Sequence, residues 1–477
     1  MSNIAFGTGG FRGIIGDDFT KENVQLIAQG LANLIHINLE EDKPIIVGYD
    51  NRFMSDYAAK WFIEVLNGNG IESYIFTYPV PTPVIMSATR DRGYYYGVMI
   101  TASHNPYYFN GIKIFTKEGY DADVSFTSSL EEAIKNVLII NTLEERKARE
   151  KGLLSDYTNL HSYIAHIKSF VDPNIDGEHL RVLYNNMNGV GAIGFYAIAR
   201  EMKIKEFVTI NDTHDAFFGF NLPNPTKEAL TGHFAQMVVE GKYDLGLASD
   251  SDGDRLGIID EKGNYVSANE ILACIYYHLV VNRGYKGDIV KNLATSTFIN
   301  KTAEYLGFKS HEVDVGFKNI THGMKKYNAL LGGESSGGLT MQGYIYGKDA
   351  SFAASLFLEM VIKANKPVSE IVREIKEKVG YSKYFHEDFI PLRADVKRVI
   401  EEISNNPPIF NKEVVKKDYY GRNFKYCFDN DSWLLIRLSG TEPAFRLFAE
   451  FDSEEETKKN AEILKNYIYE IQNKLDK

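Results

Sequence analysis

Three short apolar runs, each ending in small or polar residues, limit the fold of this chain more than any other feature: KPIIVGYDNR at residues 43–52, LRVLYNNMNGVGA at 180–192 and KGDIVKNLATS at 286–296. Each reads as a buried strand that stops at a turn. After the first, Ser55 is placed to cap a helix whose Ala58, Trp61, Phe62, Val65 and Leu66 share one face, with Gly68 to end it. A second strand, ESYIFTYP at 72–79, follows directly. The third run repeats the pattern, with Ile299, Ala303 and Leu306 on one helical face, Gly307 as terminator, then KSHEVDVGFK. Strand, helix, strand at this spacing implies crossover units in mainly parallel sheets. Repetition at about a hundred residues implies duplicated α/β domains, since a solenoid has a shorter period.

The 477 residues, 44% hydrophobic and 25% charged, are too many for one hydrophobic core. Beyond about residue 382 the order of elements changes: YFHEDFIPL, a helical run over 394–403, strands near NFKYCFD, SWLLIRLS and FRLFAEF, then a charged helix from Glu454, which together read as an α+β domain. The polar, Lys/Glu-rich residues 142–155 read as the linker between the first two domains. A net charge of -11 disfavours nucleic acid as a partner, so an anionic ligand must meet locally gathered cations. Cys274 and Cys427 stand far apart without metal spacing, which indicates neither a disulfide framework nor zinc and fits a reducing cytosol. The start MSNIAFGTGGFRG lacks the pattern of a signal peptide, and the longest apolar stretch, 271–281, is too short to span a bilayer. A soluble cytoplasmic protein without membrane partners is expected.

The most informative stretch is SDSDGDR at 249–255. Asp250, Asp252 and Asp254 alternate, so an extended segment would place their carboxylates on one side, converging on a hard cation such as Mg²⁺. An EF-hand fails because Arg255 occupies the position of the required glycine; a solvated acidic turn is the plain alternative. Four other stretches carry weaker signals. In TASHNP at 101–106, Ser103 is a nucleophile or a loop hydroxyl, His104 is a base or structural, and Lys113 in NGIK is a proton-transfer cation or a surface lysine. GTGGFRG at 7–13 fails as a dinucleotide loop but brings Arg12 to a backbone that permits close approach of an anion. GGESSGG at 332–338 offers Glu334 and Ser336 for sugar hydroxyls. RLSGTEP at 437–443 gathers Arg437, Ser439, Gly440 and Thr441 into a nest suited to a phosphate dianion. Each of the last three has a plain glycine turn or strand end as its alternative.

Taken in order over nearly the whole chain, GTGGFRG, TASHNP with NGIK, DSDGDR, GESSGG and RLSGTEP resemble the α-D-phosphohexomutase superfamily, most closely its phosphoglucomutases. The resemblance implies four domains around a central cleft: α/β domains at 1–145 with the phosphoserine loop, 156–257 with the metal loop and 258–378 with the sugar loop, and a TATA-binding-protein-like α+β domain at 382–477 with a phosphate loop. It also implies that Ser103 carries a phosphoryl group and joins Asp250, Asp252 and Asp254 around one Mg²⁺. Arg12 and Arg255 would then serve the transferring group, and His104 and Lys113 proton transfer. Arg437, Ser439, Gly440 and Thr441 would clamp the distal phosphate, with Glu334, Ser336, Lys318 and Lys348 on sugar or phosphate. The implied reaction interconverts hexose 1- and 6-phosphates through a 1,6-bisphosphate, with glucose 1,6-bisphosphate as intermediate and activator. Gly338, with VGFK and GKDA, favours glucose; phosphomannomutase, phosphopentomutase, phosphoglucosamine mutase, a phosphoserine hydrolase and a non-catalytic sugar-phosphate sensor are the alternatives. Ser335 and Gly338 depart from the common pattern of the sugar loop, and Ser251 and Ala350 depart from it elsewhere without removing a ligand.

Overall fold

A computed structural model describes residues 4–7, 9–410, 412–420, 423–438 and 444–475. The three apolar runs form strands Ile45–Tyr49, Arg181–Asn185 and Ile289–Asn292, which are buried almost throughout. Burial on both faces explains why they read as continuous apolar runs. Each leads through a helix, Ser55–Gly68, Ala192–Glu201 or Phe298–Tyr305, to a parallel neighbour, Ser73–Phe76, Glu206–Ile210 or Ser310–Val313. On its other side each run pairs in parallel with a further strand, Tyr96–Ile100, Leu245–Ser249 or Leu331–Gly333. That strand then reverses into an antiparallel partner: Phe109–Thr116, Leu256–Asp260 or Leu339–Met341. Three α/β units therefore share one plan, and TASHNP, DSDGDR and ESSGG all occupy the same reversal of it. The C-terminal unit is a five-stranded antiparallel sheet in the order Tyr384–Pro391, Ala444–Phe451, Trp433–Leu438, Asn423–Cys427, Lys416–Tyr420, packed on helices Val396–Asn405 and Glu454–Leu475. Among the described residues, no helix is long and apolar enough to cross a membrane.

Several local expectations are corrected. Residues 142–155 do not form an open linker: Glu145–Glu150 is a helix with Ala148 buried, and Leu154–Tyr157 adds a parallel edge strand beside Ser73–Phe76. Two apolar residues among the charges, Ala148 and Leu154, suffice to dock the segment on the first core. Ser55 is the first helical residue rather than its cap, because its Oγ donates to Asp50 Oδ1 at 2.9 Å. GTGGFRG is no free loop either: Phe6–Gly7 and Gly10–Ile14 pair antiparallel, and the second lies against Phe109–Thr116. Gly10, at φ 100, brings its backbone so close that a Cβ would sit 2.4 Å from the carbonyl oxygen of Ile112.

The C-terminal sheet is held to the third unit by Glu450, which is fully buried. Its Oε1 accepts from Ser296 Oγ and Tyr381 OH at 2.5 Å each, and its Oε2 from the Thr297 amide at 2.8 Å and Trp433 Nε1 at 2.6 Å. Four donors satisfy a carboxylate that would otherwise be costly to bury. A second buried acid stabilises the centre. Helix Ala350–Ala364 is enclosed over residues 350–362, and its Glu359 accepts from Arg283 Nη1 at 2.7 Å and the Asp172 amide at 2.9 Å, with His278 Nε2 at 3.1 Å. Burial pushes the Glu359 carboxyl up, but His278, Asp172 and Arg283 outweigh it and bring it from 4.5 to about 2. A depressed folded-state value means that the stabilisation is complete above the unfolded value of 4.5 and is lost as pH falls toward about 2. Glu359→Gln is therefore expected to cost about 3 kcal/mol in urea unfolding near neutral pH, a gap to wild type that narrows as the pH is lowered below 4.5.

Candidate active site

Strand Tyr96–Ile100 is wholly buried, and the chain after it must turn back at once to pair as Phe109–Thr116. Ser103 sits in that turn with φ 50, a left-handed conformation that a non-glycine residue adopts only where its surroundings impose it. Its amide donates to Thr101 Oγ1 at 2.8 Å, and its Oγ donates to Asp250 Oδ2 at 3.2 Å, with His104 Nδ1 at 3.4 Å. The expected nucleophile and the expected metal loop, 147 residues apart, therefore meet.

Asp250, Asp252 and Asp254 converge, although not by lying on one side of an extended strand. Residues 250–255 form a turn between Leu245–Ser249 and Leu256–Asp260, with Gly253 at φ 70, and Asp250 Oδ1 accepts the amides of Asp254 at 2.9 Å and Arg255 at 3.0 Å. The loop folds around its first carboxylate. One oxygen from each of the three buried acids lies within 4.8 Å of the others. Two other units supply the counter-charge: Lys113 Nζ reaches Asp252 Oδ2 at 2.7 Å and Asp254 Oδ2 at 2.9 Å, and Lys348 Nζ reaches Asp254 Oδ2 at 2.8 Å. Thr82 Oγ1 donates to Asp252 Oδ2 at 2.6 Å. Burial pushes Asp250 well up, as do its neighbours Asp254 and Asp252. Burial also opposes ionisation of Asp254, yet Lys113, Lys348 and Arg255 hold it well below the usual range. Asp252 Oδ1 and Asp254 Oδ1 are buried without a hydrogen-bond partner. Hard oxygen donors, two of them unpartnered, suit a divalent cation such as Mg²⁺.

Above this floor lies an open cleft. All four units line it: Arg12, Ser103, His104 and Lys113 from the first, Arg255 from the second, Glu334, Ser336 and Lys348 from the third, Arg437 from the fourth. Burial pushes His104 well below the usual imidazole range, with Arg255, Arg12 and Lys348 adding to the effect. The ring is thus neutral near pH 7 and able to accept a proton. Burial alone would lower Lys113, but Asp252 and Asp254 raise it, so it is held as a cation. Burial brings Arg12 down to about 10. Glu334 Oε1 accepts from Ser336 Oγ at 2.9 Å and its Oε2 from Asn292 Nδ2 at 3.1 Å. Gly338 has a packing cause: a Cβ there would sit 2.2 Å from Lys348 Cδ.

Lys318 is not among the lining residues; it is half-buried in the first turn of helix Phe317–Tyr327. Ser439, Gly440 and Thr441 lie outside the described residues. Several lining residues had drawn no attention in the sequence. Arg446 faces Arg437 across the strand pair and reaches Glu387 Oε1 at 3.2 Å; Glu387, Asn292 and Asp121 also line the cleft. Alternation in FRLFAEF could mark Arg446 as facing one side, but only strand register shows which. Arg52 does not line the cleft, but its Nη1 donates to the Pro106 carbonyl oxygen at 2.8 Å in the turn that carries Ser103; its place in GYDNR, at the end of a buried parallel strand, is the edge where α/β sheets bind ligands.

Comparison with known proteins agrees with this geometry. Residues 3–138, 161–263 and 267–379 match the family models for α/β/α domains I, II and III of phosphoglucomutase/phosphomannomutase. A phosphoglucosamine/phosphogalactosamine mutase of Sulfurisphaera tokodaii is 30% identical over 468 residues, covering 94% of this chain and 95% of its own. A phosphoglucomutase/phosphomannomutase of Thermococcus kodakarensis is 28% identical over 459 residues, covering 96% and 97%. A phosphoglucomutase/phosphomannomutase family protein of Burkholderia thailandensis shares the fold with a TM-score of 0.79 at 18% identity, covering 98% of this chain and 97% of that one. With three units on one plan, a fourth antiparallel sheet and relatives of equal extent, the chain belongs to the α-D-phosphohexomutase superfamily.

Proposed function

We propose that this protein is a Mg²⁺-dependent mutase that interconverts the 1- and 6-phosphates of a hexose through a phosphoserine at Ser103. The observation that carries the reading is the approach of Ser103 Oγ to within 3.2 Å of Asp250, at the base of a cleft to which every unit brings a cation. In the first half-reaction a sugar hydroxyl attacks the phosphorus of phosphoserine. The bond to Ser103 Oγ breaks as the new phosphate ester forms, and the hydroxyl proton passes to the serine oxygen. In the second, Ser103 Oγ attacks the other phosphate of the hexose 1,6-bisphosphate, and its proton returns to the sugar oxygen that leaves. No water is consumed. His104 Nδ1, 3.4 Å from Ser103 Oγ, is placed to carry that proton, and Lys113, held as a cation, to stabilise charge. Asp250, Asp252 and Asp254 would hold Mg²⁺, which when bound supplies positive charge to the transferring group. Arg12 and Arg255 line the same end.

The paired guanidinium groups of Arg437 and Arg446 are suited to the distal phosphate. Glu334, which accepts from Asn292 and Ser336, and Ser336 itself are suited to the sugar hydroxyls. A hydrolase would need no such distal clamp, and a sensor no buried carboxylate triad beside a serine. Glucose is the hexose we propose, with glucose 1,6-bisphosphate as intermediate and activator. It rests on VGFK and GKDA, since Gly338 is already explained by the Lys348 stem. A 2-amino hexose is the second reading, favoured by the name of the Sulfurisphaera tokodaii relative and by Glu334, Glu387 and Asp121 in the cleft, carboxylates able to pair with an ammonium group. We place the enzyme in the cytoplasm, in keeping with its two unpaired cysteines.

Two outcomes are expected. With Mg²⁺ and a trace of bisphosphate, glucose 1-phosphate is converted to the 6-phosphate, and Ser103→Ala lowers kcat by on the order of a thousandfold or more. Glucosamine 1-phosphate and mannose 1-phosphate run in parallel identify the sugar, and a faster rate with either displaces the glucose reading. Asp252→Asn weakens Mg²⁺ binding by about tenfold or more in titration calorimetry without substrate; an unchanged affinity removes Asp252 from the metal site.

A further inference from the structure

We propose that Arg52, paired with Asp50, is the positioning residue that imposes the strained turn of Ser103 and thereby the aim of its Oγ. The inference deepens the mutase reading and rests on it for its kinetic consequence. Arg52 leaves the end of strand Ile45–Tyr49 with its side chain fully enclosed. Its Nη2 donates to the carbonyl oxygen of Ser103 and, at 2.6 Å, to that of Asn105. Its Nη1 donates to the carbonyl oxygens of Pro106 at 2.8 Å and Phe109 at 3.1 Å. One guanidinium thus gathers four carbonyl groups of the reversal that carries the serine. Asp50 Oδ2 stands 3.3 Å from Arg52 Nε and accepts from Thr101 Oγ1 at 2.6 Å, and Thr101 Oγ1 in turn accepts the amide of Ser103 at 2.8 Å. Both ends of Ser103's own backbone are therefore held from a single ion pair, its N–H through Thr101 and its carbonyl through Arg52.

Two further contacts bring the second unit onto the same point. Ser251, next to the first metal-loop carboxylate, also donates its Oγ to the Ser103 carbonyl, and the ring of Phe218 lies 4.9 Å from the Arg52 guanidinium carbon. The strain at φ 50 is thus opposed from both units, as a residue in this region requires. Lysine keeps the charge but cannot span four acceptors, because its donors sit on one nitrogen.

The test is Arg52→Lys in the full chain, with kcat and KM measured on glucose 1-phosphate and amide hydrogen exchange followed peptide by peptide. Expected are a fall in kcat of about a hundredfold with KM within about threefold of wild type. Exchange over residues 101–109 should rise by about tenfold, while peptides of the C-terminal sheet keep their wild-type rates. If Arg52→Lys does not fold, Thr101→Val removes the acceptor of the Ser103 amide and leaves Arg52 in place, with the same split expected. A wild-type kcat, a change confined to KM, unchanged exchange at 101–109, or an even rise across the chain would each overturn the proposal. If the wild type turns over no hexose, glucosamine or mannose phosphate, the mutase reading fails, and exchange at 101–109 alone still decides whether Arg52 holds the turn.

Discussion

Three aspartates buried within 4.8 Å of one another repel, and the architecture around the cleft follows from how that repulsion is met. The second unit, which carries the acids, compensates them only partly, through backbone amides to Asp250 and Arg255 alongside. The remaining counter-charge arrives from outside it, Lys113 from the first unit and Lys348 from the third. The three units also share one continuous buried cluster, so neutralisation of the loop depends on the same docking that apolar packing provides. The incomplete result, with two carboxylate oxygens still unpartnered, is what leaves room for a divalent cation.

The same economy explains how an acidic protein of net charge -11 can gather a polyanion. Each unit places its chemistry at the reversal between a parallel strand and its antiparallel return, so loops far apart in sequence face one another. The C-terminal sheet adds Arg437 and Arg446 from adjacent strands, and it is docked on the third unit through Glu450, which accepts from Ser296 and Thr297, and through Lys425, which donates to Glu312 at 2.7 Å. In the proposed reaction, rigid docking at Glu450 and a strained serine at Ser103 would serve one end: groups that act together on the phosphoryl group are held before substrate arrives.

Much of this was legible in the chain. The three apolar runs specified the crossover units, because strands buried on both faces cannot alternate. The Asp triplet pointed to a cation site, and the fold brings one oxygen from each of the three buried acids within 4.8 Å of the others. What escaped was set by tertiary contact. Ser55 reads as a cap until Asp50 is seen to claim its hydroxyl, and 142–155 reads as a linker because only two of its side chains need to be buried to make an edge strand. The acids converge through a turn around Asp250 and not through strand alternation, a difference that residue spacing cannot express. Arg446 required strand register, and Arg52 required knowing which carbonyl groups the turn would bring to its guanidinium. Gly338 pointed toward sugar choice from its motif, whereas its backbone answers to the stem of Lys348.

In the proposed mechanism Ser103 holds a phosphoryl group and hands it to the sugar. Mass spectrometry of the peptide containing Ser103, after exposure to glucose 1,6-bisphosphate and again after addition of hexose monophosphate, addresses it directly. A phosphoryl group is expected on Ser103 after the bisphosphate, transferred to the monophosphate without release of inorganic phosphate. An unmodified Ser103 in a protein that still turns over its substrate, or stoichiometric release of phosphate, would contradict it.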